Sequence, residues 1–366
     1  MHDYLREFGG AERVVGALHK IFPQAVIYTA FVDWEALGEL GRKTFEGAEV
    51  RTTYLQKFPF IKKLFSPLRL ISAKAFAKLD LSEFDVVISS SNAYFAKAVK
   101  VREGAVHLCY CHTPPRNLYG YETTDIIIKN PLYHKLGQIA NFWLRQSDWE
   151  MAQEVGVFMA NSGTTQKRIK KYYQREAQIV YPPVSLPEIK LKQKREDWFL
   201  YVNRLHLAKH PELAVEACLE NGWRLKVAGS GPMLNDLKEM TKNHKNGELI
   251  EFLGVTSDEE LADLYSRAKL LLYPVVNEDF GMIPIEAMSL GTPVVAHASG
   301  GPLETITEGK TGVFFKELTA KALAEAVKKA QKKKWSQEIL REEAKKYSFS
   351  AFEKKITKLV EKNVKK

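Results

Sequence analysis

Three cysteines, Cys109, Cys111 and Cys218, are all that the 366 residues contain. They are too few for a disulfide framework, and no further ligand stands at a spacing that would turn them into a zinc site. Thiols used this sparingly predict a reducing compartment, the cytoplasm. The chain also lacks any run of eighteen apolar residues, so no stretch reads as a membrane-spanning helix. Its opening, MHDYLREFGGAERVV, has no apolar block followed by small residues, which argues against a secretory signal. No segment recurs at a period of roughly 20–50 residues, so solenoids and propellers are set aside. There is no Asp-x-Asp pair of the kind that holds a divalent metal on a diphosphate. Acidic residues are in deficit, 44 Asp and Glu against 54 Lys and Arg, giving a net charge of +10 and a pI near 9.2. That excess implies anionic partners: nucleotide phosphates, nucleic acid or acidic lipid. The basic stretches hold no groove-reading or base-stacking module, so nucleic acid is not expected.

What is present is alternation. Apolar runs such as AVIYTA, DVVISSS, AVHLCYC, VGVFMANS, DWFLYVN, RLKVAGS and KLLLYPV alternate with helix-periodic stretches such as HPELAVEACLENG and SDEELADLYSRAK. The second of these opens on Ser257 with Glu260 three positions on, a capping box. Such a pattern predicts βαβ units and parallel sheets, an α/β protein. Its length exceeds one ordinary core, so two domains are expected. The stretch YPPVSLPEIKLKQKRED (Tyr181 to Asp197) has prolines and neither period, and places the break. The first strand is expected to be very short, because only MHDYL precedes two glycines.

Several stretches carry chemistry. In NEDFGMIPIEAMSLGTPVVA, Glu278 and Glu286 have seven residues between them. Gly291 stands where a helix-ending glycine belongs, which predicts a helix over Met282–Leu290 and a turn from Glu278 to Gly281. The free N–H groups of a helix start favour an anion, and Gly281 lets a ligand approach the backbone. Glu286 can then reach a diol such as a ribose, and Glu278 a second polyol. Alternatively both acids merely complement the helix dipole. Their place at a strand–turn–helix junction, where parallel sheets bind ligands, favours the site. In YVNRLHLAKHPELAVEA, Arg204 and Lys209 follow a strand, as a departing diphosphate requires; a solvated basic pair is the alternative. VAGSGPML has Gly229 and Gly231 but Leu234 at the third position of a dinucleotide fingerprint, so a plain strand-to-helix turn with Pro232 in the first helical turn is expected. Gly9 and Gly10 form either a tight turn or a backbone approach to a phosphate or sugar. His112, just past a strand and stiffened by Pro114 and Pro115, is either structural or bonded to a sugar hydroxyl.

Residues 58–81 place Ile61, Leu64, Phe65, Leu68, Ile71, Ala75, Phe76 and Leu79 on one helical arc, with Lys62, Lys63, Arg69, Lys74 and Lys78 on the other. Pro67 predicts a short segment followed by a helix capped by Ser66. The first half, with Phe58 and Phe60, reads as a surface that rests on anionic lipid. The second half is either such a surface or a core-facing helix.

The stretches GGAERV, SSNAYFAKA, CHTPPR, ANSGTT, YPPV, the R-x4-K pair, FLG and the E-x7-E block occur in the order seen in family-4 retaining glycosyltransferases. The chain resembles that family over essentially its whole length. The resemblance implies a GT-B fold, two Rossmann-like domains facing across a cleft. Residues 1–185 would bind the acceptor and 186–345 the nucleotide sugar, with 346–366 as a helix returning to the first domain. By matching position, Arg204 and Lys209 would bind the diphosphate, Glu286 the ribose and Glu278 the donor sugar's hydroxyls. The backbone of Phe280, Gly281 and Met282 would lie near sugar and phosphate, Gly9 and Gly10 against the phosphate, His112 near the transferred sugar, and Val255 beside the base. Glu278, His112, Arg204 and Lys209 would carry the chemistry, without metal or cofactor. HDYL, GGAERV and CHTPPR are most similar to bacterial surface-polysaccharide mannosyltransferases, implying GDP-mannose rather than a UDP-sugar as donor and a lipid-linked or saccharide acceptor. The location implied is cytoplasmic, held peripherally on the inner face of the plasma membrane through residues 57–79. Other readings are a UDP-sugar-dependent glycosyltransferase, a glucan synthase or an epimerase of the same architecture, and a catalytically silent nucleotide-sugar-binding subunit. The presence of Glu278, Glu286, Arg204 and Lys209 together argues against the last.

Overall fold

A computed structural model describes residues 1–92, 95–121, 131–184 and 195–364, without the side chains at 62–67, 70 and 131–136. Ser185 to Lys194 of the expected linker, Ala93 and Tyr94 of SSNAYFAKA, and the side chains of Lys62, Lys63, Leu64 and Phe65 therefore lie outside the described residues. The chain divides into two units, Met1–Pro183 with Phe349–Lys366, and Val184–Ser348.

The first unit contains β1 (Ile27–Thr29), β2 (Val50–Thr52), β3 (Val86–Ser91), β4 (Val106–Cys111), β5 (Val157–Ala160) and β6 (Ala177–Ile179). Its helices are α1 (Gly10–Ile21), α2 (Gly38–Thr44), α3 (Ile61–Ala77), α4 (Pro131–Gln153) and α5 (Gly163–Tyr173). β3, β4, β5 and β6 pair in that order, all parallel, and β1 pairs parallel with β2. His2 bridges both Thr29 of β1 and Ser90 of β3, and its N–H donates to the Tyr28 carbonyl at 2.8 Å. The segment before the glycines thus lies between β1 and β3 and joins the two sets of strands. It is as short as the sequence predicts, with isolated bridges at His2 and Leu5.

α3 is one helix from Ile61 to Ala77, which corrects the expected break: Ser66 and Pro67 are its sixth and seventh residues. A proline in a helix interior costs about 3 kcal/mol. Tertiary burial outweighs it, since Ile61, Leu68, Ile71, Ala75, Phe76 and Leu79 pack with Tyr28, Phe31 and Leu55. The second half of the amphipathic stretch is therefore core-facing.

The second unit contains β7 (Phe199–Val202), β8 (Leu225–Ala228), β9 (Ile250–Gly254), β10 (Leu270–Tyr273), β11 (Val294–His297) and β12 (Gly312–Phe315). Its helices are α6 (Pro211–Asn221), α7 (Leu234–Lys242), α8 (Asp258–Arg267), α9 (Met282–Ser289), α10 (Pro302–Thr305), α11 (Ala320–Gln331) and α12 (Gln337–Lys345). The order β12-β11-β10-β7-β8-β9 is parallel throughout. Strands buried on both faces need near-continuous apolar runs, and FLYV and LLLY are buried at every residue. Chain order reverses direction between β7 and β10, so the carboxyl ends of these two strands form a switch point. Ser257 closes the expected capping box with Glu260 at 2.8 and 3.2 Å, and Gly291 ends α9 with a left-handed φ of 76°. Pro232 falls just before α7 rather than inside it, because the Met233 N–H is taken by the Leu205 carbonyl at 3.0 Å.

α13 (Phe349–Val364) belongs to the first unit. Phe352, Ile356 and Leu359, one stripe at helical spacing, pack with Val14 and Ala17 of α1 and with Leu108 and Tyr110 of β4.

Candidate active site

Arg204 and Lys209 follow β7, and Glu278 follows β10, so both loops leave the switch point of the second unit. Lys209 ends a 3-10 turn, Leu207–Lys209, whose last carbonyl accepts from the Tyr201 hydroxyl at 3.0 Å. Its Nζ is ion-paired with Glu278 Oε2, both side chains being less than a fifth exposed. The hydroxyl of Tyr273, the last residue of β10, donates to the same oxygen at 3.2 Å. Burial first, then the Glu278 charge, pushes the Tyr273 pKa well above the ordinary phenol value, so it stays a donor. Burial, then Lys209 and Arg204, pushes His206 down to about 4, so it adds no charge beside them near neutral pH. Arg204 itself is exposed.

The Glu278 loop is rigidly backed. Asn277 and Gly281 are left-handed, φ 52° and 83°. The Glu278 carbonyl accepts from the Gly301 N–H at 2.8 Å, and the Asn277 N–H donates to Ser299 Oγ at 2.9 Å. A Cβ on Gly301 would lie 2.2 Å from the Phe280 carbonyl oxygen, so only glycine lets these two turns stack. The Phe280 ring is buried edge-on to Tyr347, 5.6 Å between centroids. α9 then begins at Met282 with Gly281 as its cap. The N–H groups of Gly281, Met282 and Ile283 have no acceptor within the helix, and Pro284 brings none to satisfy. Glu286, the fifth residue of α9, is buried and accepts from the Tyr265 hydroxyl of α8 at 3.1 Å.

Val255 is 80% exposed just past β9. The carbonyl of its neighbour Gly254 accepts from the Gly229 N–H at 2.6 Å. Cβ atoms on Gly229 and Gly231 would lie 1.9 and 2.3 Å from the carbonyl oxygens of Asn203 and Leu205. The two glycines of VAGSGP thus serve close packing of one loop on the next, as the plain-turn reading has it.

In the first unit, Gly9 caps α1 and Gly10 is its exposed first residue. The Gly9 N–H donates to Glu12 Oε2 at 2.8 Å, so Glu12 closes the glycine turn. His112, just past β4, is 9% exposed. Its N–H donates to the Ser91 carbonyl at 3.0 Å, its carbonyl accepts from the Thr165 hydroxyl at 3.1 Å, and its Nε2 lies 2.8 Å from Ser90 Oγ. Burial, then His2, pushes its pKa down to about 4; burial likewise takes His107 to about 4. Both are therefore neutral in the folded chain near pH 7.

That has a consequence for acid stability. A histidine depressed in the folded state leaves the unfolded chain to bind protons first, so stability is complete above about pH 6.5 and falls as the pH drops toward 4. By pH 5 each of the two should have lost about 2 kcal/mol. A thermal midpoint that stays flat between pH 6.5 and 5 would show that they are not held neutral.

Arg204, Lys209, Val255, Glu278, Phe280 and Gly281 stand in loops that follow strands of the second unit and Met282 and Glu286 in α9, and Lys209 is paired with Glu278. Gly9, Gly10 and His112 stand in the first. Sequence reasoning missed Tyr201, Tyr265, Tyr273, Glu12 and Ser90. A tyrosine at or near the end of an otherwise apolar buried strand, as in FLYV and LLLY, was the available signal, because a buried hydroxyl needs a polar partner. Among the described residues, no three His, Cys, Asp or Glu side chains are grouped to hold a metal ion, and no helix is long and apolar enough to cross a membrane.

A family model described as Glycosyl transferases group 1 matches residues 185–347, almost the whole of the second unit. The alpha-1,3/1,6-mannosyltransferase ALG2 of Rhizomucor pusillus is 25% identical over 365 residues, covering 84% of this chain and 78% of that one. ALG2 of Saccharomyces cerevisiae is 24% identical over 359 residues, covering 81% and 69%. Among solved structures, Anabaena Alr3699/HepE in complex with UDP and glucose superposes with a TM-score of 0.69 at 16% identity, covering 98% of this chain and 99% of that one. Sucrose-phosphate synthase from Thermosynechococcus elongatus does so with a TM-score of 0.70 at 16% identity, covering 98% and 94%. These last two likenesses establish the fold. The chain is a glycosyltransferase of the GT-B fold, and its residues 185–347 match the glycosyl transferases group 1 model.

Proposed function

We propose that the chain transfers a mannosyl group from GDP-mannose, with retention at the anomeric carbon, to a lipid-linked or saccharide acceptor in cell-surface polysaccharide synthesis. The observation that carries this reading is the Lys209–Glu278 pair at the switch point of the second unit, with Arg204 in the same loop and Glu286 in the helix that follows. Mannose is supported by the likeness to the two ALG2 proteins. Arg204, Lys209 and the free N–H groups of α9 would meet the charge that develops on the departing diphosphate. Glu278 would accept from sugar hydroxyls and Glu286 from the ribose diol. The acceptor oxygen bonds to the anomeric carbon on the face from which the diphosphate leaves, and its proton passes to the departing phosphate oxygen. A second reading, a UDP-linked donor, is favoured by the HepE structure, which holds UDP and glucose.

The experiment is a thermal-shift screen of GDP, GDP-mannose, UDP and UDP-glucose, followed by transfer assays with and without EDTA. A ligand at a hundred times its dissociation constant should add about 2.7 kcal/mol. GDP compounds are expected to stabilise, and transfer is expected to survive chelation. Stabilisation by UDP compounds alone would move the donor to the second reading, and loss of transfer in EDTA restored by Mg²⁺ would overturn the metal-free mechanism.

Attachment to an anionic membrane surface through the 57–79 segment belongs to the same proposal. Lys57, Phe58, Phe60, Lys74 and Lys78 are exposed there, Phe60 by 72%. The neighbouring α4, which shares an apolar cluster with Ala73 of α3 through Leu144 and Met151, adds exposed Ile139, Phe142, Trp143 and Trp149 on one stripe. Bulky apolar side chains beside lysines suit a lipid interface, where each lysine contributes about 1 kcal/mol. The protein should sediment with anionic vesicles at low salt and be released at high salt. Lys57→Glu with Trp143→Ala should weaken this without changing nucleotide affinity, and unchanged sedimentation of that variant would retire the surface.

A further inference from the structure

Arg195, Glu196 and Asp197, just before β7, bond one after another to α8 and the chain beyond it. Asp197 Oδ1 accepts from Lys269 Nζ at 2.6 Å, and Glu196 Oε1 accepts from Arg267 Nε at 2.6 Å. Arg195 reaches further in. Its Nη1 donates to the Tyr265 carbonyl at 2.7 Å and to Thr292 Oγ at 2.8 Å, and its Nη2 donates to the Leu290 carbonyl at 2.9 Å. Thr292 has one hydroxyl hydrogen and gives it to the same Tyr265 carbonyl. Tyr265 stands in the last turn of α8 and Leu290 directly follows α9, where carbonyls have no partner within the helix. One planar guanidinium thus ties the ends of two helices to the chain entering β11. Burial pushes its pKa down to about 10, so it remains charged at neutral pH. Gly291 makes room for it, since a Cβ there would lie 2.6 Å from Nη2.

The other end of Tyr265 meets the candidate site. Its hydroxyl donates to Glu286 Oε2 at 3.1 Å, with Tyr265 fully buried and Glu286 9% exposed. A glutamate side chain has several rotatable bonds, so an acid that must meet a pair of hydroxyls loses rotamer freedom on binding unless it is already held. Tyr265 supplies that hold. Arg195 and Thr292 fix the backbone of Tyr265, and Arg195 also fixes the end of α9, the helix that carries Glu286.

We propose that Arg195, Thr292 and Tyr265 are positioning residues that hold the Glu286 carboxylate ready for the ribose diol of the donor nucleotide. The ribose role of Glu286 rests on the function proposed above. The fork of Arg195 matters as well as its charge, because a lysine cannot reach three acceptors lying in one plane.

The test is calorimetry with GDP and 2′,3′-dideoxy-GDP, and with UDP and 2′,3′-dideoxy-UDP, pairs whose members differ only in the diol. The parent is expected to favour the ribose form about tenfold or more. In Tyr265→Phe that preference should fall about fivefold while the dideoxy nucleotide binds as before. A general loosening of the fold would weaken both members alike. Arg195→Lys keeps the charge, loses the fork and should lower the preference likewise. With Glu286 already alanine, Tyr265→Phe should change the preference no further. An unaltered preference in Tyr265→Phe, or an equal loss for both members, would overturn the proposal. Ligand-free crystals give a second readout: one position of the Glu286 side chain in the parent and more than one in Tyr265→Phe, with a single shared position in both counting against the proposal. Should the parent bind neither nucleotide, or bind both members of a pair alike, the function proposed for Glu286 fails, and the crystals still decide whether Tyr265 holds it.

Discussion

Alanine at Glu286 or at Arg204 is expected to weaken nucleotide-sugar binding about ten- to a hundredfold and to reduce transfer to near background, with the protein still folded. A hydrogen bond to a charged group is worth about 1.5–3 kcal/mol, which converts to that range of affinity. The two sites differ in what else is disturbed. Arg204 is exposed, so its removal leaves the fold alone. Glu286 is buried and accepts from the Tyr265 hydroxyl at 3.1 Å, so alanine also removes an acceptor from a buried phenol. Glu286→Gln separates these effects, because the amide oxygen can still take the tyrosine while the charge is gone. Calorimetry with GDP-mannose and with UDP-glucose decides the matter. Unchanged affinity in both alanine variants would remove these residues from the site.

The largest effect on stability is expected at Lys97, in the first unit. Lys97 and Asp148 are 2% and 0% exposed and are ion-paired, and the Tyr119 hydroxyl donates to the other Asp148 oxygen at 2.8 Å. The ammonium also lies 5.3 Å from the Phe95 ring and 5.2 Å from that of Tyr173. Burial alone would lower the Lys97 pKa, but Asp148, with Cys111 and Cys109, outweighs it and raises it, so the lysine is charged. Lys97→Ala leaves a carboxylate buried without its cation, a loss of about 3–5 kcal/mol. A domain's whole stability is about 5–15 kcal/mol, so such a loss is large. Lys97→Met with Asp148→Leu should cost much less than the two single changes together, since no lone charge remains. Denaturant titration in which Lys97→Ala loses under about 1 kcal/mol would contradict this.

Features set by near neighbours along the chain are legible in the sequence itself. Alternating apolar runs and helix-period stretches foretold βαβ units and parallel sheets, and the sheet orders are of that kind. The capping box at Ser257 and the helix end at Gly291 could be read because each depends on a few adjacent residues and on a glycine's access to positive φ. The placement of Glu278 in a turn and Glu286 in the following helix was legible for the same reason.

Contacts between residues distant in sequence were decided by the fold. Lys209 and Glu278, assigned separate tasks by resemblance, are ion-paired across 69 positions because their strands lie side by side at the switch point. Pro67 sits inside a helix because the apolar side chains around it are buried on Tyr28, Phe31 and Leu55, and no local rule carries that energy. The contacts of Glu12 with His2, of His2 with Ser90 and of Ser90 with His112 exist because His2 is laid between β1 and β3, an adjacency that five residues of sequence cannot express. Periodicity and capping are properties of neighbours along the chain, so the sequence by itself determined the elements and their order. Which buried charge meets which partner depends on long-range packing, and that only the tertiary structure decided.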